Sequence, residues 1–312
     1  MGYRAFGMTR SVVRRALGGA LLVLSAAFAL AGPACDTATA VALASEAGAD
    51  DAAPAPKVVV LVADDPSHGR REHEYHAGVT LLASLLAQSP GVTAVVHRSF
   101  PDDPRALDRA DTVVLMTSGR ERHPLLAPAR ADTLGAAMAR GAGLVSLHWS
   151  VDVTPALEEQ TRAWLGGYAL FGASVYPIWD ATFEPLPDHP VARGLPATFS
   201  LHDELYFGLR FAGDLPRLAP ILRARPPDDA RTTPETAAAL GRTETVAWAY
   251  DRAGGGRSFG YSGLHFHDTW SRYEVRRLVV NAILWTAGRE VPRAGAPVEL
   301  DPAILERDLD PK

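Results

Sequence analysis

The stretch Lys57-Val-Val-Val-Leu-Val-Ala63 decides the fold, because its six residues after Lys57 are all apolar. Short continuous apolar runs of this kind are typical of parallel strands that are buried on both faces of a sheet. Apolar residues at helical spacing follow from Val79 to Leu86 and again over 127–140. Further strands are predicted at 92–96, 112–116 and 144–147. Strands that alternate with helices predict a parallel sheet with right-handed crossovers.

The second half of the chain has a different pattern. Residues 179–184 alternate like a half-exposed strand, and the apolar runs 246–250 and 257–261 flank Gly254-Gly-Gly256. Two such runs around a glycine turn predict an antiparallel hairpin. From Val275 to Ile283 the apolar residues repeat at helical spacing, which predicts a last helix.

The two ends of the chain are predicted to lie outside this domain. Residues 1–35 carry four arginines followed by an apolar run and small residues, which is typical of an export signal, with a signal anchor as the alternative. Residues 36–56 are predicted to be a flexible tether, 57–292 the folded domain and 293–312 a surface tail. The protein is therefore expected to be exported, to the periplasm or outside the cell, with the leader as its contact with the membrane.

Cys35 is the only cysteine of the 312 residues. A lipoprotein cleavage box would end in such a cysteine, but Gly32 stands where that box normally has Leu, so lipidation is left as an alternative. No disulfide can form within the chain, and the folded region has no thiol for catalysis or zinc binding. The formal net charge is -5, and the leader's arginines leave a more acidic remainder. Nucleic acid is therefore not an expected partner.

Histidines follow two of the predicted strands. The run 141–147 ends in His148, and the run 258–264 ends in His265-Phe-His267. Ligands of open α/β sheets bind outside the carboxyl ends of the strands, so titratable rings there indicate a site. The alternative is a buried histidine bonded to backbone. In an extended segment His265 and His267 would share one face, which suits two ligands of one metal ion.

The loop after the first strand contains His68, His73 and His76 among several acids. A loop of this composition can supply metal ligands, a general base or a site for an anion, and the alternative is a solvated helix cap. The spacing of His73 and His76 suits one helical face but is a weak metal signal, because no H-E-x-x-H is present. Ser146 and Ser150 lack the G-x-S-x-G context of a hydrolase nucleophile.

Nine ordered segments together carry a family resemblance. They resemble the trehalose-utilisation ThuA-like family from about Lys57 to Pro292, and as an ordered set they are specific. The segments begin at Pro66, His73, Gly143, Trp164, Asp188, Asp203, Val246, Gly263 and Asn281.

This resemblance implies a flavodoxin-like α/β fold of the class I glutamine amidotransferase type, with flanking helices and the added hairpin. It also implies a role in carbohydrate catabolism, an association with sugar dehydrogenases and 3-keto-sugar intermediates, and a divalent metal. Amidotransferases have a cysteine near the position of His148, so glutamine hydrolysis by a thiolate is excluded here. Residues 118–123 depart from the glycine-rich segment of the relatives, and His123 is left out of the site.

We therefore expect an exported enzyme that moves a proton beside the carbonyl of an oxidised, 3-keto sugar, either as an isomerase or as a lyase. The alternatives are a sugar-binding accessory protein without turnover and a metal-dependent hydrolase. A Zn-like divalent metal is expected, and a nucleotide cofactor is not. The expected catalytic residues are His148, His265 and Glu204; the metal ligands His73, His148, His265 and His267; and the substrate-binding residues Trp149, Asp203, Tyr206 and Trp270.

Overall fold

The structure, a computed structural model, describes residues 55–213 and 215–312. The predicted export signal, Cys35 and nearly all of the predicted tether therefore lie outside the described residues. In the described part of the chain, no helix combines the length and apolar character needed to span a lipid bilayer.

The described residues form twelve strands and five α-helices. The strands are β1 Lys57–Val62, β2 Val92–His97, β3 Thr112–Leu115, β4 Gly143–Leu147, β5 Asp152–Val153, β6 Gly167–Leu170, β7 Ile178–Thr182, β8 Ser200–Glu204, β9 Arg210–Phe211, β10 Leu218–Ala224, β11 Glu244–Asp251 and β12 Arg257–Tyr261. The helices are α1 Tyr75–Leu86, α2 Pro128–Ala139, α3 Glu158–Leu165, α4 Pro234–Ala237 and α5 Tyr273–Thr286.

The main sheet has seven strands in the order β10-β11-β12-β4-β3-β1-β2. Strands β2, β1, β3, β4 and β12 are parallel to one another, whereas β10, β11 and β12 pair antiparallel. The α/β fold class expected from the sequence, a mostly parallel sheet with flanking helices and an added hairpin, is confirmed. Two smaller sheets complete the architecture: β5-β6-β9 and the antiparallel pair β7-β8.

Both faces of the main sheet are covered, which explains the continuous apolar run of β1. Val59 and Leu61 pack into the core layer that contains α1 and α5, whereas Val60 and Val62 pack into the layer that contains α2. Successive strand residues point to opposite faces, so a strand buried on both sides has no polar alternation. The half-exposed pattern expected near Trp179 appears in β7, where exposed and buried residues alternate.

The tail bends back toward the loop that follows β1. Its short 3₁₀ helix Pro302–Glu306 is followed by Lys312, whose Nζ donates to the carbonyl of Ser67 at 2.8 Å. The backbone amide of Asp310 donates to Oε2 of the buried Glu74 at 2.7 Å. These contacts hold one end of the loop that carries His68 and His73.

Candidate metal centre

Four side chains from separate segments meet at the carboxyl edge of the main sheet. They are His73 in the loop after β1, His148 directly after β4, Glu204 at the end of β8 and His265 in the segment after β12. One ligand atom from each lies within 4.8 Å of the others. The parallel strands β1, β4 and β12 explain the meeting, because their carboxyl ends share one edge.

The shortest separations within this cluster are those of direct contacts. Nε2 of His73 lies 3.0 Å from Nε2 of His148 and 3.0 Å from Nδ1 of His265. Oε2 of Glu204 lies 3.1 Å from Nδ1 of His265 and 3.4 Å from Nε2 of His148. The four atoms therefore surround one point rather than forming a line.

The outer ring nitrogens of His148 and His73, which point away from the cluster, are hydrogen-bonded to oxygen atoms. Nδ1 of His148 lies 2.8 Å from the carbonyl of Ser262. Because a carbonyl can only accept, that nitrogen carries the proton and Nε2 presents a lone pair to the cluster. Nδ1 of His73 lies 2.8 Å from the hydroxyl of Tyr75. Nε2 of His265 lies 3.8 Å from a carboxylate oxygen of Glu72, which is too far for a hydrogen bond and is only an electrostatic contact. Oxygen partners of this kind orient histidine ligands in metal sites.

The backbone is unusual at the same residues. His73 and His148 have φ values of 47° and 54°, and Leu264, next to His265, has a φ of 85°. Residues other than glycine rarely adopt this left-handed region, and doing so costs about 1–3 kcal/mol when the surroundings impose it. At each of these three residues the backbone is therefore held in an unfavourable conformation next to the site.

Burial and mutual contacts shift the pKa values within the cluster. Burial lowers the pKa of His148 to about 4, and burial together with the neighbouring imidazoles lowers the pKa of His73 even further. Burial acts most strongly on His265 and Glu204 as well, but their hydrogen bond and the opposite charges around them together outweigh it, raising the pKa of His265 and lowering that of Glu204. The cluster therefore holds His73 and His148 as neutral imidazoles beside an ionised carboxylate, and a metal ion would displace the proton that His265 shares with Glu204.

Two of the predicted substrate-binding residues border the cluster. The ring of Trp149 is half-buried and meets the ring of His73 edge-on at 5.3 Å. The hydroxyl of Tyr206 lies 3.2 Å from Nε2 of His148, and burial raises its pKa well above the ordinary value. Tyr206 therefore keeps its proton and can donate it in a hydrogen bond.

Asp203 and Trp270 are buried behind the cluster. The carboxylate of Asp203 accepts from the backbone amides of Leu264 at 2.7 Å and His265 at 3.2 Å, so it holds the segment of a ligand instead of facing a substrate. Trp270 is fully buried in the core and packs close to Gly78.

The structure does not bring His267 to the cluster. The sequence argument assumed an extended segment over 265–267, but a 3₁₀ helix begins at His267 and ends at Ser271. Phe266, between the two histidines, is extended and bridges to Glu72, and the backbone amide of His267 donates to the carbonyl of Arg71. The side chain of His267 is buried, but it is not among the four residues whose ligand atoms converge.

Sequence reasoning named His68 only as one candidate of its loop and did not single out Tyr75 or Glu72. The hydroxyl of Tyr75 contacts the outer nitrogen of His73, a carboxylate oxygen of Glu72 lies 3.8 Å from that of His265, and His68 stacks on His73 with ring centroids 3.7 Å apart. All three lie in the loop and helix start whose density of His and Glu was noticed. The sequence of this loop did not indicate which of its side chains contacts which proposed ligand.

Comparisons with known proteins agree with this fold. Residues 58–286 match the model of the ThuA family, described as trehalose utilisation. A ThuA-like protein of Bacteroides uniformis ATCC 8492 is similar in structure, with a TM-score of 0.55 at 16% identity over 79% of this chain and 97% of that chain. A ThuA-like protein of Parabacteroides merdae ATCC 43184 has a TM-score of 0.53 at 18% identity over 76% and 92%. None of the curated proteins matches the sequence. Because the family match covers most of the chain, this protein belongs to the ThuA family.

Proposed function

We propose that this protein binds a divalent metal ion such as Zn²⁺ through His73, His148, His265 and Glu204, and acts with it on an oxidised sugar. The observation that carries the metal proposal is the convergence of four ligand atoms within 4.8 Å. Zinc lies about 2.0–2.2 Å from nitrogen and oxygen ligands, so neighbouring ligands of a tetrahedral site are about 3.3–3.6 Å apart. The contacts of 3.0–3.4 Å in the cluster are close to that spacing.

The donor set also fits a cation for a chemical reason. Nε2 of His73 faces both Nε2 of His148 and Nδ1 of His265, and a single proton can bridge only one of these pairs. His148 already uses its own proton for the carbonyl of Ser262. A cation between the rings would satisfy all the lone pairs at once, and imidazole with carboxylate is a donor set that Zn²⁺ accepts.

The proposed chemistry is the movement of a proton beside a ketone of a sugar. A divalent ion would act as a Lewis acid that stabilises the negative charge developing on the substrate oxygen. In this proposal His73, His148, His265 and Glu204 hold the ion, and the exposed imidazole of His68, which stacks on His73 and is not a ligand, would take the proton from the carbon beside the ketone and return it. The hydroxyl of Tyr206 and the half-buried face of Trp149 border the space where a sugar would lie. The trehalose-utilisation description of the family supports a carbohydrate substrate.

The metal proposal is tested by elemental analysis of the purified full chain. We expect close to one equivalent of a divalent metal, retained after dialysis and lost in His148→Ala and His265→Ala. His202→Ala is the matched control, because His202 is exposed and pairs with Asp180 outside the cluster. Wild-type protein that binds no divalent metal, even after incubation with Zn²⁺, would refute the proposal.

The catalytic proposal has a separate test. A 3-keto sugar incubated with metal-loaded protein in D₂O should incorporate deuterium beside its carbonyl, as followed by NMR. Losing an essential group should slow this exchange by about 10²-fold or more in His148→Ala and His265→Ala. If the loaded protein binds the sugar in calorimetry but shows no exchange, an accessory binding role replaces the enzymatic one.

We also propose that the protein is exported, on the basis of the basic and apolar leader in residues 1–35. An extracytoplasmic position would place the site where sugars enter the cell.

A further inference from the structure

An arginine from the loop after β3 and an exposed aromatic ring directly after β6 lie together near the cluster. The guanidinium carbon of Arg120 lies 4.6 Å from the ring centre of Phe171 and 4.4 Å from that of Tyr176. Phe171 is 67% exposed, which is unusual for a phenylalanine within a folded domain. An exposed ring that is held in place by a stacked guanidinium is a flat apolar platform with polar edges.

Two separate chains of contacts connect this platform to the cluster. In the first, the rings of His148 and Tyr206 are 5.0 Å apart, those of Tyr206 and Tyr176 are 4.7 Å apart, and Arg120 follows. In the second, Gly119 lies against Trp149 so closely that an added Cβ would meet the carbonyl oxygen of Trp149 at 2.2 Å. Arg120 is therefore fixed beside the same turn that carries His148.

The position of Arg120 is imposed by its surroundings. Its φ of 51° lies in the left-handed region, and its Nε donates to Asp152, a fully buried carboxylate, at 2.5 Å. The hydroxyl of Tyr176 donates to the other oxygen of Asp152 at 3.1 Å. Strained backbone that is held by a buried ion pair is typical of functional positions.

The charges around the platform favour an uncharged ligand over an anion. The ion pair with Asp152 neutralises Arg120, so an anionic group placed on the platform would also lie near a buried carboxylate. A neutral ring with hydroxyl groups avoids this repulsion, can stack on the face of Phe171 and can accept from the guanidinium edge.

We propose that Arg120, Phe171 and Tyr176 form a second subsite, which binds an uncharged sugar ring linked to the ring at the metal centre. This proposal rests on the proposed function, and what it adds is the set of residues that would bind the second ring of a two-ring glycoside. The rings of Tyr206 and Tyr176 lie between His148 and Arg120, so in this proposal a single pyranose ring at the cluster does not also contact the platform.

The test compares sugar binding by calorimetry, with glucose and the disaccharides trehalose and maltose as probes. Wild-type full-length protein should bind at least one disaccharide more tightly than glucose. Phe171→Ala should weaken the affinity for that disaccharide by about three- to tenfold, the effect of losing one stacked ring, and leave the affinity for glucose unchanged. Arg120→Lys should act in the same direction, since Lys keeps the charge beside Asp152 but loses the planar fork.

Tyr273→Ala is the matched control, because Arg277 stacks on Tyr273 at 4.3 Å in another part of the surface. Metal content should be unchanged in all three variants. Equal binding of glucose and disaccharides by the wild type, or disaccharide binding that survives in Phe171→Ala, would overturn the subsite alone. Failure of the wild type to bind any of these sugars or their 3-keto forms would instead refute the proposed carbohydrate function and the subsite with it.

Discussion

Replacing Asp203 by Asn should weaken metal binding although Asp203 is not a ligand. Its carboxylate accepts the backbone amides of Leu264, His265 and Glu204 at 2.7, 3.2 and 2.9 Å, and so connects the segments of two proposed ligands. An Asn side chain has nearly the same shape but only one acceptor oxygen, so its NH₂ group must face at least one of these amides.

The expected magnitude follows from these contacts. Hydrogen bonds to charged groups contribute about 1.5–3 kcal/mol, so loss of one should lower the free energy of unfolding by about that amount. The released segment carries His265 and the strained Leu264, and loss of such support typically costs about 10–100-fold in metal affinity. Both values apply at pH 8, where Asp203 is ionised although burial raises its pKa to about 6.

The measurements are a competitive Zn²⁺ titration against a chromophoric chelator and urea unfolding of the metal-free protein. Asp180→Asn is the control, because Asp180 is an exposed residue on the paired strand β7. It should change the free energy of unfolding by less than about 0.5 kcal/mol. If Asp203→Asn loses stability but binds Zn²⁺ as tightly as the wild type, then Asp203 supports the fold alone and the positioning argument fails.

Three further predictions concern the rest of the chain. His123 is fully buried, and burial lowers its pKa to about 4, so the protein loses stability as the pH falls from about 6.5 toward 4 and the buried ring must take up a proton. His123→Gln removes this titration, so the free energy of unfolding in urea should fall by about 3 kcal/mol less between pH 7 and pH 4 than it does in the wild type. An unchanged dependence of the unfolding free energy on pH would contradict this. Gly119→Ala should lower the free energy of unfolding by about 1–3 kcal/mol, because the new Cβ would meet two backbone carbonyls, whereas Gly254→Ala, which meets nothing within 4 Å, should have little effect in the same assay. Mass spectrometry of protein from the native host should find no peptide from residues 1–30, and an intact N-terminus in the cytosol would rule out export.

The sequence was informative where a local pattern determines the outcome. The apolar run of β1, the hairpin of β11 and β12 and the apolar stripe of α5 each follow from burial on a defined face, which periodicity reports directly. The placement of His148 and His265 also followed, because carboxyl ends of parallel strands share an edge whatever the details of the loops.

The sequence was uninformative where the outcome depends on a contact between distant segments. The spacing of His265 and His267 did not reveal that a 3₁₀ helix begins at His267, or that only His265 joins the cluster. Nor could adjacency tell which of Asp203 and Glu204 faces the cluster. Asp203 and Glu204 point to opposite faces of β8. The face of Asp203 packs against the segment after β12, where its carboxylate accepts two backbone amides, so Glu204 is the residue that reaches the cluster.

The distribution of strained backbone gives an argument about function that is independent of the family. Among the described residues, seven other than glycine have clearly positive φ values, and four of them, His68, His73, His148 and Leu264, lie at the cluster or directly beside one of its ligands. Glycine would relieve this strain at any of these positions but would remove the side chain. A histidine in a left-handed conformation therefore indicates that its imidazole is needed there, since a purely structural turn could use glycine. Three imidazoles and a carboxylate brought to one point at this cost, with the outer nitrogens of His73 and His148 hydrogen-bonded to oxygen atoms, are more simply explained by a shared cation than by packing alone.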